Sequence, residues 1–168
     1  MASAASNDAM GTADIKKAEG LARDLAAVYS APPVPVLEIA ERHGVRVIPA
    51  TFGQFQGDVS GVSDFQARQI NLNVEDPPER QAYAAAHELG HFLLHGAFLL
   101  DHPDRYNLLP RFGAPKPGPL EEEAHAFAAE LLIPKRLLMP VAKSAPPTQL
   151  ASIFKVPIDL IERRLKSL

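Results

Sequence analysis

Residues 79–95 read ERQAYAAAHELGHFLLH, and their spacing predicts a helix over most of this stretch. Ala84, Ala85 and Ala86 favour the helix and keep its surface low enough for close approach beneath a site. Asp76-Pro77-Pro78 launches it at about Glu79, and Gly96 stands where a helix-stopping C′ residue is expected. Inside it, His87-Glu88-Leu89-Gly90-His91 spells H-E-x-x-H. At a rise of about 1.5 Å per residue the two histidines lie about 6 Å apart along one face. Both imidazoles can then reach a single zinc at about 2.0–2.1 Å. Glu88 is turned around the helix from His87, which leaves it off the metal and free to take a proton from an attacking water. His95 falls about 80° further round than His87. It is a poor ligand, better suited to backing one or to a place at the helix end.

Outward from this helix the elements alternate. Residues 14–30 carry Ile15, Ala18, Leu21, Ala22, Leu25 and Val28 at helical spacing, and Pro32, Pro33 and Pro35 end that run. A second short helix is expected over 35–43, stopped by Gly44. Residues 45–49 (VRVIP) and 69–74 (QINLNV) alternate as strands, with a short strand among turns over 51–64. In the second of these, Ile70 and Leu72 are expected to face the core and Asn71 and Asn73 to face outward. That strand is expected at a sheet edge, where an extended peptide could add alongside it. Residues 101–119 hold five prolines and two glycines, a long loop of the kind that is commonly functional. Helices follow over 120–133, after Thr148 as a cap, and over 157–167. Helix, strands, then helices define an α+β domain with a small sheet.

A catalytic zinc has three protein ligands and one open place. The third is not six residues beyond His91, where Ala97 stands. Downstream candidates are Asp101, His102, Asp104, Glu121, Glu122, Glu123 and His125. The acidic run opens a helix, where the dipole favours carboxylates in any case. Glu121 and His125 share one face at i,i+4, Glu122 points away and Glu123 is offset. Spacing selects Glu121 or His125 as the ligand, with the other behind it, and goes no further. Tyr29, Tyr106 and His125 are candidates to stabilise an oxyanion.

Three stretches, QINLN, ERQAYAAAHELGHFLLHG and EEEAHAFAAELLIP, resemble the ImmA/IrrE family of zinc metallopeptidases. Arg80, the motif at 87–91, Phe127, Ala128 and the run Leu131–Pro134 fit the family pattern across about residues 14–165. The resemblance implies a zincin-like peptidase domain with a small twisted mixed sheet, an H-E-x-x-H active-site helix and a C-terminal helical hairpin. It divides the chain into a disordered tail (1–13), the peptidase domain (14–139) and the hairpin packed on it (140–168). It also implies zinc, with manganese as a possible substitute, held by His87, His91 and Glu121, with Glu88 as the base. His125 stands where the family usually has Asn, so its imidazole either hydrogen-bonds the ligands or competes for the metal. The implied substrate is a helix-turn-helix repressor, cleaved at one site to derepress stress or mobile-element genes. The family form expected here is the short one, without an added sensor domain, which leaves metal availability as a candidate switch.

Composition bounds these readings. The 168 residues are 46% apolar and 22% charged, with 16 prolines, which excludes wholesale disorder. No apolar run approaches the roughly 20 residues of a membrane span. A formal charge of -3 argues against a strongly basic nucleic-acid grip. With no cysteine, disulfides and Cys-ligated zinc are excluded. The first residues lack the basic and apolar regions of a secretory signal, so the cytoplasm is the expected location. The alternative is a DNA- or repressor-binding module built on residues 149–168, which resemble a helix-turn-helix pair, with zinc structural. Lys155, Arg163, Arg164 and Lys166 supply its basic charge, but Asp159 and Glu162 interrupt it and two helices cannot bury a core alone.

Overall fold

The computed structural model describes residues 11–106 and 118–168. The expected disordered tail lies outside the described residues as far as residue 10, and the long loop lies outside them from 107 to 117. Helix α1 (Ile15–Ala26) starts where the side chain of Asp14 accepts the Lys17 N–H at 3.0 Å, an ordinary N-cap. Its buried residues Ala18, Ala22 and Ala26 recur every fourth position, so α1 presents a smooth stripe to the core. α2 (Val36–Arg42) ends before Gly44, whose φ of 70° is the left-handed backbone that glycine adopts without strain.

Three strands follow, β1 (Arg46–Ala50), β2 (Gly61–Asp64) and β3 (Gln69–Asn73), in the order β1-β3-β2. β1 runs parallel to β3 with Val47 opposite Ile70, and β2 runs antiparallel with Ser63 opposite Ile70. The sheet is therefore mixed. It also corrects one expectation: residues 69–73 form the central strand, and β2 is an edge. Alternation of apolar and polar residues reports which face is buried, not how many neighbours a strand has. Asn73 departs from the alternation as well, being fully buried. Its Nδ2 donates to the carbonyls of Gln56 (2.8 Å) and Val59 (2.9 Å), and its Oδ1 accepts the Glu75 N–H at 3.0 Å. At the end of β3 the asparagine clamps the loop that leads into β2.

α3 (Pro78–Gly90) begins with proline in its first turn, where a missing N–H costs nothing. It does not stop at Gly96. A π-helical turn spans His91–His95, Gly96 keeps a helical φ of -53°, and α4 continues over Gly96–Asp101. The apolar run beyond Gly96 explains the continuation, since Leu99 is buried. A 3-10 turn at Pro103–Arg105 then leads to Tyr106. α5 (Pro119–Leu132) is followed by Pro134 and the short α6 (Lys135–Leu138). α7 (Pro147–Phe154) starts two residues earlier than expected, with Pro146 at the cap position and Thr148 inside the first turn. Lys155 takes a left-handed φ of 56° to turn the chain into α8 (Ile158–Lys166).

Leu89 of α3, Phe127 and Leu131 of α5, Ile70 of β3, Leu150 of α7 and Ile161 of α8 belong to one buried cluster. Burial of each such side chain is worth about 1.5–3 kcal/mol, so the last two helices share the core of the rest. Arg164 of α8 is buried on Glu130 of α5 and also donates to the Ile133 carbonyl at 3.2 Å. The close approach of α3 to α5 depends on Gly90. A Cβ there would lie 2.9 Å from Phe127 Cδ1 and 3.4 Å from the Ala124 Cα.

Candidate metal centre

α3, its π turn and α5 bring the sequence-selected residues together. His87 Nε2 lies 3.1 Å from Glu121 Oε2, His91 Nε2 lies 3.2 Å from Glu121 Oε1, and the two Nε2 atoms are 3.1 Å apart. One carboxylate thus spans both imidazoles of H-E-x-x-H. All three side chains are at least four-fifths buried. Ring nitrogens and carboxylate oxygens crowded this closely and shielded from water are an unfavourable protein–protein arrangement unless a cation or protons intervene. Two imidazoles and a carboxylate are the donors a catalytic zinc takes, with room for a fourth place. The donor set fits a divalent metal.

His125 stands one turn beyond Glu121 on α5. Its ligand atom, with those of His87 and Glu121, falls in a group all within 4.8 Å of one another. Its ring centroid is 4.4 Å from that of His87. Its Nδ1 lies 2.7 Å from the hydroxyl of Tyr83, on whose ring it stacks. Burial pushes the Tyr83 hydroxyl above the usual tyrosine range, so it stays protonated and available as a hydrogen-bond partner. Glu121 and His125 are therefore both at the centre, and the choice that spacing left open is one of geometry: Glu121 reaches two imidazoles.

Glu88 is buried, and its hydrogen bonds among the described residues go outside this cluster. Its Oε2 accepts the Ser63 hydroxyl at 2.6 Å and the Tyr106 hydroxyl at 2.7 Å. Tyr106 in turn accepts the Ser63 backbone N–H at 2.9 Å. Burial, then the charge of Glu88, pushes the Tyr106 hydroxyl far above the usual tyrosine range. Gly61 at the start of β2 makes this possible: a Cβ would stand 3.4 Å from Glu88 Cγ and 3.2 Å from a Leu72 methyl. A cavity of about 350 Å³ opens beside Ser63 and Tyr106, lined also by Val62, Phe65, Leu99 and Leu100.

Other candidates fall elsewhere. Tyr29 follows α1, packs on the core and gives its carbonyl to Arg136. His102 binds the Phe98 carbonyl at 3.0 Å in its own helix and is exposed. Arg80 donates to the Ser60 hydroxyl at 2.9 Å and faces Asp76 at 3.4 Å, tying the start of α3 to the loop before β2. Of the basic residues in the C-terminal helix pair, Arg164 is buried on Glu130 and Arg163 is paired with Asp159 at 2.8 Å. Two contributors are unmarked in the sequence, and a third is a ligand candidate that serves another role. Ser63 and Tyr83 carry no pattern of their own. Glu123, a candidate ligand offset from Glu121 by spacing, reaches His95 at 2.8 Å instead. Burial lowers the pKa of that histidine, partly opposed by its bond to Glu123.

An H-E-x-x-H helix under a small mixed sheet, closed by a carboxylate from the next long helix, defines a metallopeptidase of the zincin-like fold. The sequence profile of the Peptidase M78 family, described as the IrrE N-terminal-like domain, matches residues 40–166. Metallopeptidase ImmA of Bacillus subtilis (strain 168) is 25% identical over 138 residues, covering 79% of this chain and 76% of that protein. A solved structure titled as a Mycobacterium tuberculosis transcriptional regulator superposes with a TM-score of 0.62 at 14% identity. It covers 89% of this chain, which spans 46% of that one, and the likeness is one of fold. The chain belongs to the ImmA/IrrE family of metallopeptidases, and the family implies a divalent metal.

Proposed function

We propose that the chain is a zinc-dependent endopeptidase that cleaves a helix-turn-helix repressor at one site. His87, His91 and Glu121 hold the metal, and Glu88 is the catalytic base. The carrying observation is the division of carboxylates: Glu121 spans the imidazole pair at 3.1 and 3.2 Å, while Glu88, one residue from His87, is held off by Ser63 and Tyr106. Two imidazoles and one carboxylate favour zinc among the common divalent ions, with manganese a weaker substitute. When bound, such an ion polarises the scissile carbonyl and makes water a nucleophile near neutral pH.

The remaining work belongs to the chain. Glu88 accepts the proton of the attacking water and passes it to the leaving amine. The two hydroxyls on its Oε2 fix its rotamer without neutralising it. His125 is positioned to help at the carbonyl: with Nδ1 accepting from Tyr83, its Nε2–H is a donor for the developing oxyanion. An extended substrate strand would add at β2, the edge beside Glu88, and a substrate side chain would enter the apolar cavity next to Ser63. Such a substrate is met in the cytoplasm, and no described helix is long and apolar enough to cross a membrane. Commitment of Arg163 and Arg164 to ion pairs takes two of the four basic residues from the DNA-binding alternative.

The test is incubation of the metal-loaded protein with the product of an adjacent repressor-like gene, with and without a chelator. Cleavage at one bond, abolished by the chelator, is expected. An intact repressor alongside cleavage of unrelated unfolded protein would overturn the substrate. No hydrolysis of any protein by the metal-loaded chain would overturn the activity.

A further inference from the structure

A chain of hydrogen bonds, buried at its two histidines and open to solvent at its far end, runs outward from the candidate metal centre to the start of α1. His91 Nδ1 lies 3.1 Å from His95 Nδ1, His95 Nε2 lies 2.8 Å from Glu123 Oε2, and Glu123 Oε1 accepts the backbone N–H of Asp14 at 2.7 Å. The two histidines are 1% and 4% exposed. We infer that His95 and Glu123 are positioning residues that set the tautomer of His91 and thereby the affinity of the centre for its metal.

Proton bookkeeping leaves one assignment. The inference rests on the proposed ligand role of His91, whose Nε2 faces Glu121 and must then carry a lone pair. Its proton is on Nδ1 and is donated to His95 Nδ1. A neutral imidazole has one donor and one acceptor, so His95 carries its own proton on Nε2 and gives it to Glu123. The carboxylate accepts from both sides, and every polar atom from His91 Nδ1 outward has a partner of the right kind. Ligating histidines commonly need such a hydrogen bond at the other ring nitrogen. Among the described residues His87 Nδ1 is buried without one, so orientation of the imidazole pair by hydrogen bonding falls to His91. The π turn has a structural consequence here. The wider i→i+5 turn over His91–His95 is the kind of local insertion that occurs at functional sites, and here it carries the His95 ring against that of His91. Glu123 joins the centre to Asp14, the cap of α1.

Two measurements test this on the full chain. The first is histidine nitrogen NMR of the metal-free Glu121→Ala variant, in which no carboxylate competes for a proton on His91 Nε2. His91 is expected in the Nδ1–H tautomer, opposite to the usual preference of a free imidazole, and to lose it in His95→Phe and His95→Ala. The second is zinc affinity by competition with a chromogenic chelator, with the visible spectrum of the cobalt form. Affinity should fall about 10–100-fold in His95→Ala and in Glu123→Ala, with altered cobalt bands, and His95→Gln should recover part of it. Glu123 lies near the surface, so its variants report even where a His95 variant does not fold. Wild-type affinity in a folded His95 or Glu123 variant overturns the inference, and so does the Nε2–H tautomer at His91. The tautomer is read without metal, so failure of the peptidase reading and failure of this one are distinguishable.

Discussion

Gly90 and Phe127 meet where α3 crosses α5, with no room for one methyl group: a Cβ on Gly90 would lie 2.9 Å from Phe127 Cδ1. The contact sits one residue from His91 on one helix and two turns from Glu121 on the other. Alanine is the better helix former by about 1 kcal/mol, but overpacking a filled core costs about 1–3 kcal/mol. Gly90→Ala should therefore leave stability unchanged or lower it by up to about 2 kcal/mol while parting α3 and α5. Zinc affinity should fall by about tenfold or more. Chelator competition beside an unfolding curve separates the two effects, and an unchanged affinity would mean that this contact does not set the ligand spacing.

Glu88→Gln should keep the metal and lose the reaction. The amide is nearly the same shape, and its oxygen can still accept from Ser63 and Tyr106. It cannot take a proton. Loss of general acid–base help lowers turnover by about 10²–10⁴-fold, with zinc content near that of the wild type. A variant that stays active assigns the base elsewhere.

The sequence shows the histidine pair of the motif most plainly, because i,i+4 spacing on a helix leaves two histidines no choice but to share a face. The third ligand is narrowed by the same rule to Glu121 or His125 of α5, and it is the crossing of two helices that brings Glu121 against both imidazoles. That crossing rests on Gly90, which reads in the sequence as one letter of a motif and in space as the absence of a side chain under Phe127. β3 was misplaced at an edge for a related reason: pairing partners are nonlocal, and the alternation of Ile70 and Leu72 is the same with one neighbour or two. Gly96 has the identity of a stop residue, yet the apolar run through Leu99 carries the helix past it. Ser63 and Tyr83 act on His–Glu chemistry from distant positions, and no local pattern marks them.

Tyr106→Phe removes one donor from Glu88 and leaves the Ser63 N–H without its acceptor. Losing such a partner costs about 1–3 kcal/mol of stability, and a Glu88 held by one hydroxyl instead of two is less well oriented, so turnover should fall by about tenfold. Its pH dependence is a sharper check. Tyrosine ordinarily ionises near pH 10, and burial with the adjacent charge of Glu88 pushes this hydroxyl well above that. The raised value favours the protonated form, so the donor persists on the alkaline side. The ratio of wild-type to variant rates should stay constant from about pH 6 to 10. A ratio that shrinks toward one as the pH approaches 10 would show that the hydroxyl ionises there.

Glu130 and Arg164 bind the last helix to the core. Both are almost fully buried, and Arg23 approaches Glu130 at 3.6 Å while Glu19 approaches Arg164 at 3.8 Å. Removing one partner strands the other charge. Glu130→Ala should destabilise the fold by about 3–5 kcal/mol in urea. Replacing both with apolar residues of similar volume should be far less harmful. Equal losses in the single and double variants would show that volume, not charge, is what this pair contributes.

Glu121 and His125 are separated by their reach. The carboxylate contacts both imidazoles of the motif, whereas the His125 ring leans on His87 and is anchored at its back by Tyr83. Glu121→Ala should abolish stoichiometric zinc binding, because no other described carboxylate spans the pair. His125→Asn places at this position the residue the family usually has, and zinc binding should fall by no more than about tenfold, within the range for residues behind the ligands. Its cost should appear in turnover, as expected for a donor to the oxyanion, where removal of one such group lowers the rate by about 10²–10³-fold. The opposite pattern, with zinc kept in Glu121→Ala and lost in His125→Asn, would make the imidazole the third ligand and move the carboxylate behind it. Zinc content and turnover measured on the same two preparations decide between these arrangements.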